Sequence, residues 1–415
     1  MNRMMFISIV ALIFLLMDWY VFQAVRSVIY DVFGSWRKLV YVLYWLVTII
    51  SISGFLYYNM GGKAEIGRDM RTLIFSFIFI NYFSKIFGVV FLMIDDVGRA
   101  VRWVWHQFNQ PATPGQQNQG ISRSEFLVKS SIVASAVPAL TMSYGILSGA
   151  HDYRIRRTTV HLKNLPSSFD GLRIAQLSDI HSGSFFNKTA VQGGIDMLLN
   201  EKPDVVFFTG DLVNDRAEEV KEYQSVFEKV SAPLGVYSVL GNHDYGDYAN
   251  WSSAQAKRQN LQDLMRVHQQ MGWNLLMNEN RFLKVDNEQI AILGIENWGT
   301  GGFAQYGNLS QAYEGTQNSP VKLLLSHDPS HWDAQVRPQY SDIDIMFAGH
   351  THGMQFGIEI GDFKWSPVQY RYKQWAGLYQ KQQQHLYVNR GYGYLVFPGR
   401  IGILPEITIM ELKKA

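Results

Sequence analysis

Five short polar clusters hold the side chains in this sequence that are best suited to chemistry, and each follows an apolar segment. Carboxylates, a carboxamide and imidazole rings recur in them, and five of the eleven histidines of the chain lie there. Oxygen and imidazole ligands without sulfur suit Mn, Fe or Zn. We therefore predict a site for divalent metal ions. The clusters are Asp179-Ile180-His181, Gly210-Asp211, Gly241-Asn242-His243-Asp244, Ser326-His327-Asp328 and Gly349-His350-Thr351-His352.

The spacing within the last cluster is the most informative. Alternate residues of an extended segment point the same way, so His350 and His352 can reach neighbouring metal ions. Gly349 before them allows the backbone to approach other groups closely. Each cluster alone could be structural, but five of them in this arrangement indicate one shared site.

The elements that must position these clusters alternate between strands and helices from Arg173 onward. Short apolar runs predict strands, and longer segments with apolar residues three or four apart predict helices. Apolar strands that lead into polar loops are typical of a layered α/β domain, in which ligands gather at the carboxyl ends of strands. The predicted strands are Arg173–Asp179, Val205–Asp211, Gly235–Asp244, Arg281–Val285, Ile290–Ile295, Lys322–Ser326 and Ile343–Ala348, and the predicted helices are Lys188–Lys202, Ala217–Val230 and Gln255–Met271.

The first 150 residues have a different character, with few charges and long apolar runs. Leu39–Tyr58 carries no charge and has about the length that crosses a bilayer core. Met4–Val25, Leu73–Ile94 and Phe126–Leu147 are similar. We therefore predict a multi-pass membrane region of about four helices in residues 1–150, with a flexible Gln/Pro-rich loop near 107–120, and a catalytic domain in residues 151–415.

Two charges lie inside the apolar runs, where charge is costly. Asp18 and Lys85 could form an ion pair or contact a lipid head group; alternatively, Asp18 lies near an interface and Lys85 extends its ammonium group to it. The side of the membrane on which residues 151–415 lie stays open. Basic residues counted beside all four runs favour the cytoplasm. The basic residues beside the first run alone favour export, and so does Ser122–Leu127, which resembles an incomplete twin-arginine signal.

Composition excludes several classes of protein. The chain has 415 residues, a formal net charge of +2 and no cysteine. Disulfides, thiol nucleophiles and cysteine-ligated clusters are therefore excluded, and the near-neutral charge gives no reason to expect a nucleic-acid polymer as partner.

The order of the five clusters resembles that of the calcineurin-like metallophosphoesterases, over roughly Asn164 to Leu412. The segments LPSSFDGLRIAQLSDIHSGS (Leu165–Ser184), LYVNRGYG (Leu386–Gly393) and LPEITIMEL (Leu404–Leu412) are most similar to the bacterial membrane-anchored branch. The resemblance implies a four-layer α/β/β/α sandwich, here preceded by an all-α transmembrane region.

The resemblance also implies a role for each cluster. Asp179, His181 and His352 would hold one metal ion; Asn242, His327 and His350 would hold a second; and Asp211 would bridge the two. His243 would stabilise the phosphoryl oxygens or protonate the leaving group. We expect Asp244 to orient His243 through its ring N–H.

The implied function is that of a membrane-anchored, two-metal phosphoesterase in which a metal-bound hydroxide attacks phosphorus. Because the hydrolase is tethered to a bilayer, we expect a phosphoester or pyrophosphate substrate in a lipid or cell-envelope precursor. One alternative is an anchored phosphodiesterase that acts on soluble nucleotides. The other is a non-catalytic membrane scaffold, which we disfavour because every ligand position is kept.

The segment Trp365–Tyr394 is rich in aromatic residues. These rings could contact a lipid or sugar near the site, although we expect core packing for most of them. Within the segment, Arg390 could bind a phosphate or lie on the surface in a glycine-rich turn.

Overall fold

The structure is a computed structural model that describes residues 3–32, 34–60, 66–109 and 124–415. Its contacts divide the chain into two compact units, 1–144 (unit 1) and 145–415 (unit 2). The assignment of a membrane domain to residues 1–150 and a catalytic domain to residues 151–415 stays a prediction.

Four long helices in the described ranges are apolar and long enough to cross a membrane, as the sequence predicts. The third is 42 residues long, or about 63 Å at 1.5 Å per residue, so it exceeds a hydrocarbon core of about 30 Å. The loop prediction is wrong at its start, because residues 107–109 are helical, and its remaining residues lie outside the described ranges. The helices are α1 (Arg3–Val32), α2 (Arg37–Asn59), α3 (Arg68–Asn109) and α4 (Glu125–Leu147).

The two charges inside the apolar runs meet in unit 1. Lys85 of α3 forms an ion pair with Asp18 of α1, and both residues are buried. Tyr82 donates a hydrogen bond of 2.9 Å to the second oxygen of Asp18. Tyr44 of α2 donates to the Asp18 backbone carbonyl at 2.8 Å, and its ring centroid lies 4.8 Å from the Lys85 ammonium nitrogen. The ion pair, rather than two separate charges near the interfaces, is the correct alternative.

Unit 2, all of whose residues are described, contains two six-stranded sheets and a two-stranded hairpin. The strand order is β1-β14-β2-β3-β4-β5 in the first sheet and β12-β13-β9-β8-β7-β6 in the second. The strands are β1 (Arg154–Leu162), β2 (Arg173–Leu177), β3 (Val205–Thr209), β4 (Val236–Val239), β5 (Asn274–Leu275), β6 (Glu279–Val285), β7 (Glu288–Gly294), β8 (Lys322–Leu325), β9 (Ile345–Ala348), β10 (Ile358–Ile360), β11 (Phe363–Trp365), β12 (Gly377–Lys381), β13 (Gln384–Val388) and β14 (Glu406–Lys414). The helices are α5 (Lys188–Asn200), α6 (Gln224–Phe227), α7 (Ala254–Gln270), α8 (Leu309–Tyr313) and α9 (Arg337–Gln339).

Alternating side chains of β3 show how the layers pack. Phe207 faces the second sheet, where its ring meets that of Phe347 of β9 at 5.1 Å between centroids. Phe208 lies on the opposite face, in a cluster with buried residues of α5 and α7. A third cluster covers the outer face of the second sheet with residues such as Trp332. These layers form the expected α/β/β/α sandwich.

Local sequence explains where the two main helices of unit 2 begin. The Asn187 side chain accepts a hydrogen bond from the third residue of α5, and Ser253 does the same for α7. Both are the usual N-cap residue types. The predicted helix Ala217–Val230 is wrong as a single helix, because only Ala217–Val220 (a 3-10 turn) and α6 are helical. The strand β1 is an element that the sequence analysis missed.

Candidate metal centre

The predicted ligands come together at the carboxyl ends of parallel strands from both sheets. β2, β3 and β4 are parallel neighbours in the first sheet, and β8 and β9 are parallel neighbours in the second. Each of the five strands ends two or three residues before a predicted ligand. The sandwich therefore gathers side chains that are as far as 173 positions apart in the sequence (Asp179 to His352).

The backbone at these loops is unusual. Five of the predicted ligands, including Asp211 (φ 61°) and His350 (φ 70°), have positive φ angles. Residues other than glycine rarely adopt this region, and such strain clusters at functional sites where the surrounding structure enforces it. The other three are Asp179 (φ 52°), His181 (φ 49°) and His352 (φ 49°).

The first group of ligands consists of Asp179, His181 and His352, whose donor atoms all lie within 4.8 Å of one another. The two Nε2 atoms of His181 and His352 are 3.0 Å apart, and His352 Nε2 is 3.2 Å from Asp179 Oδ1. All three residues are buried.

The second group consists of Asp211, His327 and His350. His327 Nε2 lies 3.1 Å from Asp211 Oδ2, and His350 Nδ1 lies 2.8 Å from the amide oxygen of Asn242. The same Asp211 oxygen lies 3.5 Å from His181 Nε2 of the first group. The Asp211 carboxylate thus borders both groups, as a bridging ligand must.

In each group, the hydrogen bond of one histidine ring shows which of its two nitrogens faces the other ligands. A backbone or amide oxygen can only accept, so Nδ1–H of His327 donates to the Thr209 carbonyl (2.7 Å) and Nδ1–H of His181 donates to the Asn214 amide oxygen (3.1 Å). When such a ring is neutral, its lone pair lies on Nε2, which is the nitrogen that a metal ion would bind. His327 Nε2 is buried without a hydrogen bond among the described residues.

The ionisation of the carboxylates in the two ligand groups also favours bound cations. Burial opposes ionisation of the Asp211 carboxyl, but the neighbouring His327 and His243 rings hold its pKa well below its usual range. Burial also opposes a charged His327, yet Asp211 and Asp179 raise the pKa of that ring to about 10. A carboxylate that stays ionised although it is buried needs positive charge beside it, and divalent ions would supply that charge.

A cavity of about 520 Å³ opens beside both groups. This volume is typical of sites for small ligands. Its walls combine ligands of both groups with His243 and with aromatic, basic and apolar side chains. The residues outside the predicted ligand set are Tyr248, Gly301, Phe303, Arg371, Tyr372 and Leu395.

Two family profiles match the chain along most of its length. The profile described as "Calcineurin-like phosphoesterase" matches residues 172–354, and the one described as "Probable Calcineurin-like phosphoesterase, transmembrane domain" matches residues 2–150. The uncharacterized metallophosphoesterase YkuE of Bacillus subtilis is 30% identical over 71% of this chain and 98% of its own length.

The chain belongs to the calcineurin-like metallophosphoesterase family. Members of this family are metal-dependent hydrolases of phosphate esters, and this chain is a multi-pass membrane member of it.

Two other relatives extend the comparison. The "Transmembrane protein with metallophosphoesterase domain" of Danio rerio is 27% identical over 69% of this chain and 63% of its own length. The phosphodiesterase YaeI of Escherichia coli is 24% identical over 58% of this chain and 82% of its own length. The predicted family and the predicted fold are therefore confirmed.

The structure corrects the role expected for Asp244 in this metallophosphoesterase. His243 does not donate its Nδ1–H to Asp244 but to the backbone carbonyl of Asn214, at 2.7 Å. The Asp244 carboxylate instead accepts backbone N–H groups of Asp211 and Leu212, both at 2.8 Å, and of two further residues. Asp244 therefore holds the Asp211 loop in place and does not orient the His243 ring.

Both alternatives considered for Arg390 are wrong. The residue is buried and forms ion pairs of 2.6 Å with Glu406 and with Glu359. It consequently supports the fold rather than binding phosphate or lying in a surface turn.

Sequence reasoning assigned no defined role to several residues of the metallophosphoesterase site. Asn214 accepts the Nδ1–H groups of both His181 and His243, one at its side chain and one at its backbone. The Tyr372 hydroxyl lies 2.8 Å from His350 Nε2, and the Tyr248 hydroxyl accepts from the Asn242 amide at 3.0 Å. The aromatic density of Trp365–Tyr394 was a signal for Tyr372, and the position of Asn214 shortly after Gly210-Asp211 was a signal for a contact with that loop, whereas no sequence spacing marks Tyr248.

Proposed function

We propose that this protein is a membrane-anchored phosphoesterase with two metal ions that hydrolyses phosphoester or pyrophosphate bonds in a lipid or cell-envelope precursor. The observation that supports it most is the Asp211 carboxylate, which lies between two buried groups of imidazole and carboxylate ligands. Two cations bound on either side of this carboxylate would repel each other, and its negative charge would offset that repulsion.

The donor set supports divalent ions at both positions. Asp179, His181 and His352 would hold one ion, and Asn242, His327 and His350 the other, with Asp211 shared. Mn, Fe or Zn suits these oxygen and imidazole ligands. When bound, such ions lower the pKa of a water molecule and offset charge on the phosphoryl oxygens.

His243 is the residue we assign to proton transfer. Because the Asn214 carbonyl only accepts, Nδ1 of His243 must carry a proton. Nε2 is then the ring nitrogen from which a proton could pass to the leaving oxygen. The ring belongs to the cavity wall beside the two ligand groups.

The choice of a lipid substrate rests on the anchoring and on the cavity wall. A hydrolase embedded in a bilayer meets lipid-borne substrates at a high effective concentration. Aromatic and apolar side chains of Phe303, Tyr372 and Leu395 share the wall with the ligands. A wall that combines these groups with Arg371 suits a phosphoryl group attached to an apolar chain.

The test uses the full chain in proteoliposomes and a panel of phosphatidic acid, a polyprenyl pyrophosphate, cyclic AMP and bis-p-nitrophenyl phosphate. We expect metal-dependent hydrolysis of a lipid substrate and two divalent ions per chain by elemental analysis. Asp211→Ala should abolish hydrolysis while the protein stays in the membrane, and the exposed His161→Ala serves as control.

Each outcome of this test has a meaning. Hydrolysis of cyclic AMP alone would favour the soluble-nucleotide alternative. Retained turnover in Asp211→Ala, or indifference to a chelator, would contradict the two-metal assignment. Bound metal without hydrolysis of any substrate in the panel would favour the scaffold.

A further inference from the structure

The hairpin β10–β11 has an inverted polarity. Ile360 and Phe363 are directly opposed on the two strands, and they are 74% and 61% exposed. The neighbouring pair, Glu359 and Lys364, must therefore lie on the other face. This is the reverse of the usual arrangement, in which apolar residues face the protein and charged residues face water.

Contacts of the charged pair confirm which face is inward. Glu359 forms ion pairs of 2.6 Å with Arg156 and with the buried Arg390. Lys364 donates to the backbone carbonyl of Ala376 at 2.5 Å. These contacts hold the hairpin in the orientation that turns its apolar face outward.

The outward face of the hairpin is part of a larger apolar surface, which we call the apolar rim. A contiguous exposed apolar surface is unusual on a protein surrounded by water and commonly marks an interaction site. Val396, a β-branched residue with a φ of 65°, is its most exposed member. The rim consists of Met354, Phe356, Ile358, Ile360, Phe363 and Val396, all of them exposed.

The apolar rim is linked by backbone contacts to the first residues of unit 2, which follow Tyr144 directly in the sequence. Gly145, in the last turn of α4, accepts a hydrogen bond of 3.1 Å from the backbone N–H of Arg400. The next residue, Ile401, forms a β-bridge with Phe356 of the rim. The segment Arg400–Ile401 therefore links the rim to Gly145, the first residue of unit 2.

The apolar rim also borders the metal centre. Val396 follows Leu395, which lines the cavity, and Met354 lies two residues after the ligand His352. Tyr370, Arg371 and Lys373 are exposed nearby in the sequence. Tyrosine and basic residues are typical of the zone where a protein meets lipid head groups.

We propose that the apolar rim inserts into the head-group region of the bilayer that α1–α4 cross, and so holds the mouth of the metal centre on the lipid surface. The insertion itself is independent of the proposed function, whereas its consequence for substrate access rests on that function. A bilayer fits this surface because the rim is apolar, lies close in the sequence to exposed basic and tyrosine residues, and is linked to the residues at which the chain enters unit 2.

The first experiment measures insertion directly. The chain contains no cysteine, so Ile360→Cys provides a single site for an NBD fluorophore. Ser310→Cys is the matched control, since it is exposed in α8, which is hydrogen-bonded to β6 at the far edge of the second sheet. In proteoliposomes with nitroxide-labelled lipids, we expect at least a twofold loss of NBD emission at position 360 and little loss at position 310.

Equal quenching at the two positions would overturn the proposal. So would an NBD group at position 360 that is shielded from water and resists lipid nitroxides, if the unlabelled Ile360→Cys protein also cross-links to a second molecule through the same position, because a second copy of the chain would then cover the rim.

The second experiment tests the consequence for access. The double variant Ile360→Ser/Phe363→Ser should lower hydrolysis of a vesicle-borne lipid phosphoester at least tenfold and leave bis-p-nitrophenyl phosphate hydrolysis unchanged. Unchanged lipid hydrolysis in this variant would contradict a role of the rim in access. If the parent chain hydrolyses no lipid, the proposed substrate is wrong, while the quenching result still decides insertion.

Discussion

At the scale of single residues, the Asp211 carboxylate borders both ligand groups, and its position depends on Asp244. The Asp244 carboxylate accepts four backbone N–H groups, including those of Asp211 (2.8 Å) and Gly241 (2.9 Å). Burial and the nearby Asp211 charge raise the pKa of Asp244 to about 7. One side chain thus ties together the loops that follow β3 and β4.

Replacing Asp244 tests whether these four hydrogen bonds support the Asp211 loop. Asp244→Ala leaves buried N–H groups without acceptors, which should lower the free energy of unfolding by about 3 kcal/mol or more. We expect the variant to lose bound metal as well, because the Asp211 loop loses its support. Thermal unfolding and elemental analysis of the detergent-solubilised protein measure the two effects. An Asp244→Ala protein that keeps its stability and its metal would show that these hydrogen bonds are dispensable.

His243 should behave differently from its neighbour. We expect His243→Ala to retain bound metal and to lose turnover by a factor of about 10² to 10⁴, the usual contribution of a positioned acid or base. Parallel measurements of metal content and of hydrolysis check this expectation. Loss of metal in proportion to activity would instead make His243 a ligand.

At the scale of elements, the strand ends approach so closely that some positions accept only glycine. A Cβ atom on Gly349, just after β9, would lie 2.0 Å from Ser178 Oγ and 2.1 Å from the Asp179 carboxylate. The loops after β2 and β9 could not keep that separation with any larger residue. The geometry of the first ligand group therefore depends on a position that carries no functional group.

Gly349→Ala should accordingly disrupt the metal centre by moving Asp179. We expect at least a hundredfold loss of hydrolysis together with lower metal content. Gly193→Ala is the control, because nothing lies within 4 Å of its added Cβ and it lies within α5. Alanine there should raise the free energy of unfolding by about 0.5–1 kcal/mol. Full activity of Gly349→Ala would contradict the close approach described for these loops.

At the scale of the whole molecule, the ion pair of Asp18 and Lys85 links two helices of unit 1, and Tyr44 connects it to a third. Asp18→Asn leaves a buried ammonium group without its carboxylate, and we expect a loss of about 3 kcal/mol in the free energy of unfolding. The double replacement by leucine should recover most of this loss, since no buried charge remains.

Thermal unfolding midpoints in detergent compare these variants. Glu125→Gln removes one partner of an exposed ion pair with Lys129 and serves as control, for which we expect no shift. A midpoint of Asp18→Asn equal to that of the parent would show that the pair contributes nothing to stability.

Acid stability is a second property of the whole chain. Burial lowers the pKa of His268 to about 3 and that of His331 to about 4. Below pH 6.5 these histidines therefore bind protons in the unfolded chain but stay neutral in the folded chain, so the free energy of unfolding falls as the pH falls. At pH 5 each histidine accounts for about 2 kcal/mol of the loss.

His268→Gln should reduce this acid sensitivity, because glutamine does not titrate. The measurement is the difference in unfolding midpoint between pH 7 and pH 5, in parent and variant. The same pH difference in both proteins would exclude His268 as a source of the effect.

Features that depend on local chemistry could be predicted from residue type and spacing. Long apolar runs indicated four spans because a bilayer core requires about twenty apolar residues. Polar clusters after apolar strands indicated a layered α/β domain, because such sheets collect ligands at the strand ends. The order of the clusters resembled that of the family, and the resemblance implied the α/β/β/α sandwich. The individual roles of the predicted ligands stay predictions.

Contacts between groups that are distant in the sequence could be seen only in the folded chain. Asp18 and Lys85 are 67 positions apart, Arg390 meets Glu359 across the hairpin, and Asp244 reaches backbone rather than His243. The exposure of the apolar face of β10 likewise depends on the ion pairs that Glu359 forms on the opposite face. Residue type and spacing cannot determine such choices, because each depends on which surfaces the packing of the elements brings into contact and which it leaves open.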